Sequence, residues 1–254
     1  TRDDYHWRLY FALPLLAMAT PGLAQDTWKG SLGAGALYAP DYLGSDDYET
    51  KALPSFDLRY GERFYFNIRN GLGWNAIHQG NWRVSPFIGY TFGRDNDHDL
   101  DRLDKVDGGA TLGLRTVYHA GAWVYSGSAL TPVTGDVDGY RLSLKAQWRS
   151  RLTERLFASL GPSLTYGSKD WAEDMFGISS GESARSGLSI HEPDNGHLRV
   201  GLAGSLSYRL TPTWSITGLA GVSRLTGDAE DSPIVDEVGD ATQAIVGTFI
   251  SYHF

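Results

Sequence analysis

Six aspartates crowd residues 94–107, Arg-Asp-Asn-Asp-His-Asp-Leu-Asp-Arg-Leu-Asp-Lys-Val-Asp. Asp95, Asp97 and Asp99 have the spacing of the first three ligands of a calcium loop, where carboxylate oxygens suit a hard divalent cation. The glycine such a loop requires is Leu100, and the closing glutamate is Val106, so the full pattern fails. Two readings are left: a loose divalent-cation site beside lipopolysaccharide phosphates, or a solvated, self-repelling loop. Asp228, Glu230 and Asp231 raise the same alternatives. Hydrolysis would need a serine nucleophile, a histidine base and an orienting carboxylate or amide. Gly177-Ile178-Ser179-Ser180-Gly181 has the Gly-x-Ser-x-Gly form, and His119, His191 and His197 are available. That form has meaning on a strand-to-helix turn of an α/β sheet. Here it sits in a long loop rich in Gly and Ser, and spacing places no Ser–His pair together. It reads as loop composition. No catalytic, cofactor-binding or metal-binding residue is assigned, and the chain reads as non-enzymatic.

The elements that position these residues are strands. Trp28, Leu32, Ala34, Ala36 and Tyr38 share one face, as do Trp82, Val84, Ile88, Tyr90 and Phe92. Tyr140, Leu142, Leu144, Ala146 and Trp148 alternate with Arg141, Ser143, Lys145 and Gln147. The same period of 2 runs through 156–166, 198–208, 214–222 and 244–254, and only 121–131 is mixed on both faces. Segments of this length suit tilted strands that cross a bilayer, which need ~9–11 residues.

Composition agrees. The chain has 254 residues, 31 glycines, no cysteine and a formal charge of −8. The acidic balance argues against a nucleic-acid partner. Without cysteine there are no disulfides, thiolate metal sites or cysteine nucleophiles. Hydrophobic residues make up 41%, and no run of ~20 apolar residues could cross as a helix. Residues 9–24 carry no charge and end in Gly22 and Ala24, the small residues of a signal-peptidase site. We therefore expect a signal peptide over 1–24 and a single domain over 25–254.

Aromatics cluster at strand ends. Trp28, Tyr60, Trp82, Tyr118, Trp148, Tyr208, Trp214 and Phe254 fall at one set of ends, and Tyr38, Phe92, Tyr140 and Tyr166 at the other. Two interfacial girdles produce this pattern. Connections alternate between short turns and long polar loops at 39–51, 94–107, 168–196 and 226–241. That asymmetry belongs to an outer-membrane barrel. Eleven segments are clear if 62–78 counts as one. An even count is needed, and Asn70-Gly71 is a tight-turn signal. Splitting there predicts an all-β, antiparallel transmembrane β-barrel of about twelve strands; ten is the alternative. Tyr252 and Phe254 on the closing strand resemble the assembly signal of such barrels.

Several motifs carry a family resemblance across 27–254. They are Pro40-Asp41-Tyr42-Leu43-Gly44-Ser45, Gly161-Pro162-Ser163, Asp170-Trp171-Ala172-Glu173, Phe176-Gly177-Ile178, Ser186-Gly187-Leu188 and Gly227-Asp228-Ala229-Glu230-Asp231-Ser232-Pro233-Ile234-Val235. They resemble the MipA/OmpV family, whose namesake is the MltA-interacting protein. The resemblance implies an outer-membrane barrel of a Gram-negative bacterium, in contact with outer-membrane lipid and lipopolysaccharide. It also implies a scaffold that joins a murein-cleaving lytic transglycosylase to a murein-synthesising penicillin-binding protein. Other relatives are described as adhesins or as stress-responsive envelope proteins. It carries no catalytic residues and no cofactor.

If even-numbered residues meet lipid, the inward face holds Lys29, Arg59, Arg63, Arg83, Arg115, Arg141, Lys145 and Arg199, opposed on the strands only by Asp57. Desolvating unpaired charges costs several kcal/mol each. Water and anions would fill the lumen as a narrow anion-preferring channel. Alternatively, Asp170, Glu173 and Asp174 would fold in as a plug and pair with the arginines. The plug is the expectation, because Trp171, Met175 and Phe176 gain by leaving water. This topology predicts that protease added to whole cells cuts within 168–196 and spares 150–154. Cleavage only after the outer membrane is opened would invert the map.

Overall fold

The computed structural model describes residues 27–254; the expected signal peptide lies outside them. The strands follow in chain order: β1 Trp28–Pro40, β2 Tyr48–Tyr60, β3 Phe64–Asn67, β4 Gly71–Trp74, β5 Ile77–Gln79, β6 Trp82–Thr91, β7 Gly109–Ala120, β8 Trp123–Pro132, β9 Arg141–Arg151, β10 Leu156–Gly167, β11 His197–Arg209, β12 Trp214–Gly227 and β13 Thr242–His253. Sequential neighbours pair antiparallel, and β1 pairs with β13. β4 and β5 both lie along β6, so the sheet closes. Leu72 faces Ile88 on β6, while Ile77 faces Val84, a register displaced by one residue. β4 and β5 are thus two pieces of one wall strand split by a bulge at Asn75-Ala76. Asn75 splices the break. Its N–H donates to Arg63 O (2.7 Å), its Nδ2 to Glu62 O (2.6 Å), and its Oδ1 accepts from Ser85 Oγ (2.7 Å). The ring has twelve strands, with β5 the extra piece, and the 62–78 segment does split into a hairpin. Its turn occupies 68–70, and Gly71 takes the left-handed φ of 69° that the return requires.

The outward face is apolar, as in a barrel solvated by lipid. Leu32, Leu112, Leu114, Leu144, Val200, Leu202 and Ile250 are exposed on it. The parity rule fails on β8. There Tyr118 faces Tyr125, and Trp123 faces Trp148, so the odd-numbered Trp123 and Tyr125 point outward. The two-residue turn at 121–122, with Gly121 at φ 59°, shifts the count. That shift is the reason 121–131 is mixed on both faces when even-numbered residues are taken as outward.

The girdles are formed by cross-strand aromatic pairs. Trp28–Tyr60 centroids lie 5.2 Å apart, Trp82–Tyr118 4.6 Å and Trp214–Tyr252 5.3 Å on one rim. Tyr38–Tyr48 (5.2 Å) and Tyr140–Tyr166 (6.1 Å) lie on the other. Tyr and Trp suit this depth because one end is apolar and the other wet. The seam closes at the chain's end: Phe254 N–H donates to Gly30 O (3.0 Å) and Gly30 N–H to Phe254 O (3.1 Å). An open edge in lipid would leave such groups unpaired at several kcal/mol each. The Phe254 ring is exposed on this rim beside the girdle, where a carboxylate is disfavoured, so replacing Phe254 by Asp should lower the yield of heat-modifiable barrel in the outer membrane several-fold. Unchanged yield on a gel-shift assay would refute this.

Candidate functional site

The inward face carries the charge. A cavity of about 970 Å³ toward the short-turn rim is lined by Lys29, Arg59, Arg83, Arg115 and Lys145. A second, of about 500 Å³ and nearer the long loops, adds Arg141 to Arg115 and Lys145. Arg199, on β11, is half-buried and lines neither cavity. Arg63 lies in the 61–63 turn, exposed, because β2 ends at Tyr60 and alternation stops there. Two lumen cations escaped the sequence reading. Arg149 continues the parity of Arg141 and Lys145 on β9 and could have been found. Arg69 sits in the hairpin turn, where no period applies, yet lines both cavities. Asp57 pairs with Arg59 (3.0 Å), and Arg149 donates twice to Gln147 Oε1 (2.9 and 2.7 Å). Among the described residues no carboxylate lines the upper cavity.

Above the lumen the long loops fold into a cap. It contains α1 Lys169–Phe176, α2 Ser180–Ser186, α3 Pro233–Asp236 and a 3-10 turn at His98–Leu100. Trp171, Ala172, Met175 and Phe176 pack with Val106, Val137, Leu225, Ala229 and Val235. A second cluster joins Leu100, Leu103, Ile178, Leu188 and Ile234. Each large side chain buried this way contributes about 1.5–3 kcal/mol. Buried Arg94 donates to Met175 O (2.6 Å), Ser232 Oγ to Phe176 O (2.7 Å), Tyr42 OH to Val238 O (3.1 Å) and Gln243 Nε2 to Ser45 O (2.9 Å). Burial pushes the Tyr42 hydroxyl up to about 12, so it stays a donor at any physiological pH.

The 168–196 loop covers the lumen, but not by the expected ion pairs. Asp170 and Glu173 are exposed. Asp174 Oδ2 accepts from the Asp138 N–H (2.6 Å). Among the described residues no ion pair joins these acids to a lumen cation. Instead the Arg141 guanidinium lies 5.0 Å from the Trp171 ring centroid. The apolar face of α1 turns inward, so its carboxylates must turn to water.

The other candidates resolve locally. Ser179 is the N-cap of α2: its Oγ donates to Glu182 Oε2 (2.7 Å) and accepts from the Glu182 N–H (3.3 Å). The Gly-x-Ser-x-Gly string is a capping box. His191 Nε2 contacts Asp228 O (2.8 Å), and His197 is buried edge-on to Phe176. His119 lines the lower cavity. Asp228 Oδ2 accepts from the Asn195 N–H, and Glu230 pairs with Arg224. Asp99 lies with Asp46 and Asp47 rather than with Asp95 and Asp97, and all three are exposed.

The family model for MltA-interacting protein matches residues 32–254. The chain belongs to the MltA-interacting protein family. It is 30% identical to the Escherichia coli MltA-interacting protein over 96% of this chain and 97% of that one. It is 25% identical to the outer membrane protein OmpV of Vibrio cholerae over 87% and 84%. Among solved structures it is similar to an outer membrane channel of Pseudomonas putida F1, with a TM-score of 0.44 and 12% identity over 93% of this chain and all of that one. The family places the chain in the outer membrane, so the short-turn rim faces the periplasm and the cap faces outward.

In this family member one cap contact is titratable. His98, at a φ of 54°, sets its Nδ1 3.1 Å from Asp41 Oδ2 and ties the 92–108 loop to 41–47. The hydrogen bond and charge of Asp41 raise the His98 pKa above 6.5. Asp41 is itself raised, because its burial and its contact with Glu49 outweigh His98. A raised histidine contributes fully below 6.5 and loses its contribution as pH climbs through the raised value. NMR titration of histidine-labelled barrel should therefore give His98 a midpoint above 6.5 that falls in Asp41→Asn. An unmoved midpoint would refute the pair.

Proposed function

We propose that this protein is a non-enzymatic scaffold of the cell envelope, which holds a lytic transglycosylase, and through it a penicillin-binding protein, at its periplasmic rim. The observation that carries this reading is 30% identity across 96% of the chain to a protein named MltA-interacting protein. The rim suits a docking role only through its turns, 61–63, 80–81, 121–122, 152–155 and 210–213. Arg151, Arg155 and Arg209 are exposed there. An acidic surface on the partner would meet them, and such rim charges act chiefly on association rate and salt dependence.

Folded barrel used as bait on envelope extracts should retain a lytic transglycosylase. Retention should fall at least tenfold when Arg151, Arg155 and Arg209 are all changed to Glu. Extracts that yield no murein enzyme on the intact barrel would overturn the reading.

A second reading rests on a different observation: the lumen gathers cations and the upper cavity has no described acid. That favours a narrow, anion-preferring path closed by the cap. In planar bilayers the intact barrel should conduct little. A variant lacking 170–190 should conduct with anion selectivity. Cation selectivity would refute this second reading.

A further inference from the structure

The barrel wall is uneven. β3 and β4 have four residues each, and at ~3.3 Å per residue each rises about 13 Å. The apolar band of such a barrel is ~25 Å tall. The hairpin tip at 68–70 therefore ends within the band, short of the outer rim. β2 pairs with β3 only over Asp57–Tyr60. β6 meets β4 only at Phe87 and Ile88. Above the tip, residues 48–56 of β2 and 89–91 of β6 have no described strand between them.

The rim of this gap is apolar. Phe66, Ile68, Leu72 and Ile88 are exposed, and Phe92 is 81% exposed. These same residues bound the 500 Å³ cavity, whose inner wall holds Arg69, Arg115, Arg141 and Lys145. Among the described residues none of these four cations has an ion-pair partner. Thr111 bounds the cavity too. It is 0% exposed, and its hydroxyl has no hydrogen-bond partner among the described residues. One void therefore runs from the lipid-facing surface through the wall to the cationic lumen. Its volume is that of a small-molecule pocket.

We propose that this gap is a lateral portal for a single-chain anionic amphiphile. The alkyl tail lies between β2 and β6 against Ile68, Leu72 and Phe92. The phosphate or carboxylate head enters the lumen and meets Arg69, Arg115 and Lys145, with the Thr111 hydroxyl as a neutral donor. Four unpaired cations repel one another, and one anionic head relieves that repulsion, while the tail keeps apolar surface from water. The ligand arrives from the outer leaflet, which the cap at the outer mouth does not obstruct. The portal shares its cations with the anion-accepting reading above; inorganic phosphate keeps the two separable.

The test is native mass spectrometry of the intact barrel in dodecyl maltoside, with dodecyl phosphate, dodecanoate or inorganic phosphate added. One dodecyl phosphate should bind per barrel. The double variant Arg115→Gln, Lys145→Gln should bind it at least tenfold more weakly. Ile68→Trp narrows the mouth at an exposed turn that needs no repacking. It should also weaken dodecyl phosphate at least tenfold, leave inorganic phosphate unaffected, and decide the matter if the double variant fails to fold. Dodecanoate binding as tightly as dodecyl phosphate supports the portal and points to either head group. Binding of one alone supports it and names the head group. The proposal is overturned by an absence of saturable binding, or by inorganic phosphate matching dodecyl phosphate while Ile68→Trp has no effect. It is equally overturned by a dimer in which two copies cover each other's gap.

Discussion

Hydrocarbon offers no hydrogen bonds, so backbone N–H and C=O groups in the wall are driven to pair with a neighbouring strand, and the stretch of β2 and β6 above the β3–β4 tip is the place where that pairing is missing. This constraint makes the sheet a ring and explains where residues were placed to keep it closed. The β1–β13 seam pairs from Ser31 opposite His253 to Tyr38 opposite Val246, and the terminal Phe254 extends it to Gly30. The other closure, at β4, β5 and β6, is far thinner. Two residue pairs from β4 and three from β5 stitch it. Asn75 ties the bulge to two neighbouring segments with both its backbone and its side chain. The barrel therefore has one strong seam and one weak one.

Charge is sorted by the same ring. In a chain of net charge −8 the lumen is lined mainly by cations, with Asp57 and Glu62 the acids of the lower cavity and no carboxylate on the upper one among the described residues. The cap adapts to that interior through an aromatic face rather than a carboxylate one. Trp171 offers a π-face to Arg141, which needs no desolvated counter-charge and leaves α1 free to present Asp170 and Glu173 to water. Loops drawn from distant parts of the chain share two small cores, so the outer surface is a packed layer rather than a set of independent tails.

A barrel fold hosts many activities, and function has to be argued from the site. Here the site is a lumen with cations, a closed outer mouth and a low stretch of wall. Among the described residues none of these features brings a nucleophile, a base and an orienting group together. Ser215 Oγ does lie 2.7 Å from His253 Nε2, but no carboxylate is bonded to that histidine among the described residues.

The period of 2, the girdles, the alternation of turn lengths and the twelve-strand ring were legible in the sequence, because each depends on spacing within one strand or on parity around the ring. So were most inward cations, with Arg149 available by the same count. Tertiary structure decided the rest. Parity cannot see that Arg63 has left the strand for a turn, or that the β7–β8 turn shifts the outward face to Trp123 and Tyr125. The capping role of Ser179 depends on the helix α2 that follows it. The cap cores bring Leu100 to Ile178 and Ile234, contacts between residues far apart in sequence that no local pattern records. The height of the wall at β3 and β4 was equally hidden. A hairpin can be recognised from Asn70-Gly71, but how high it stands in the membrane depends on the register of β2 and β6 on either side.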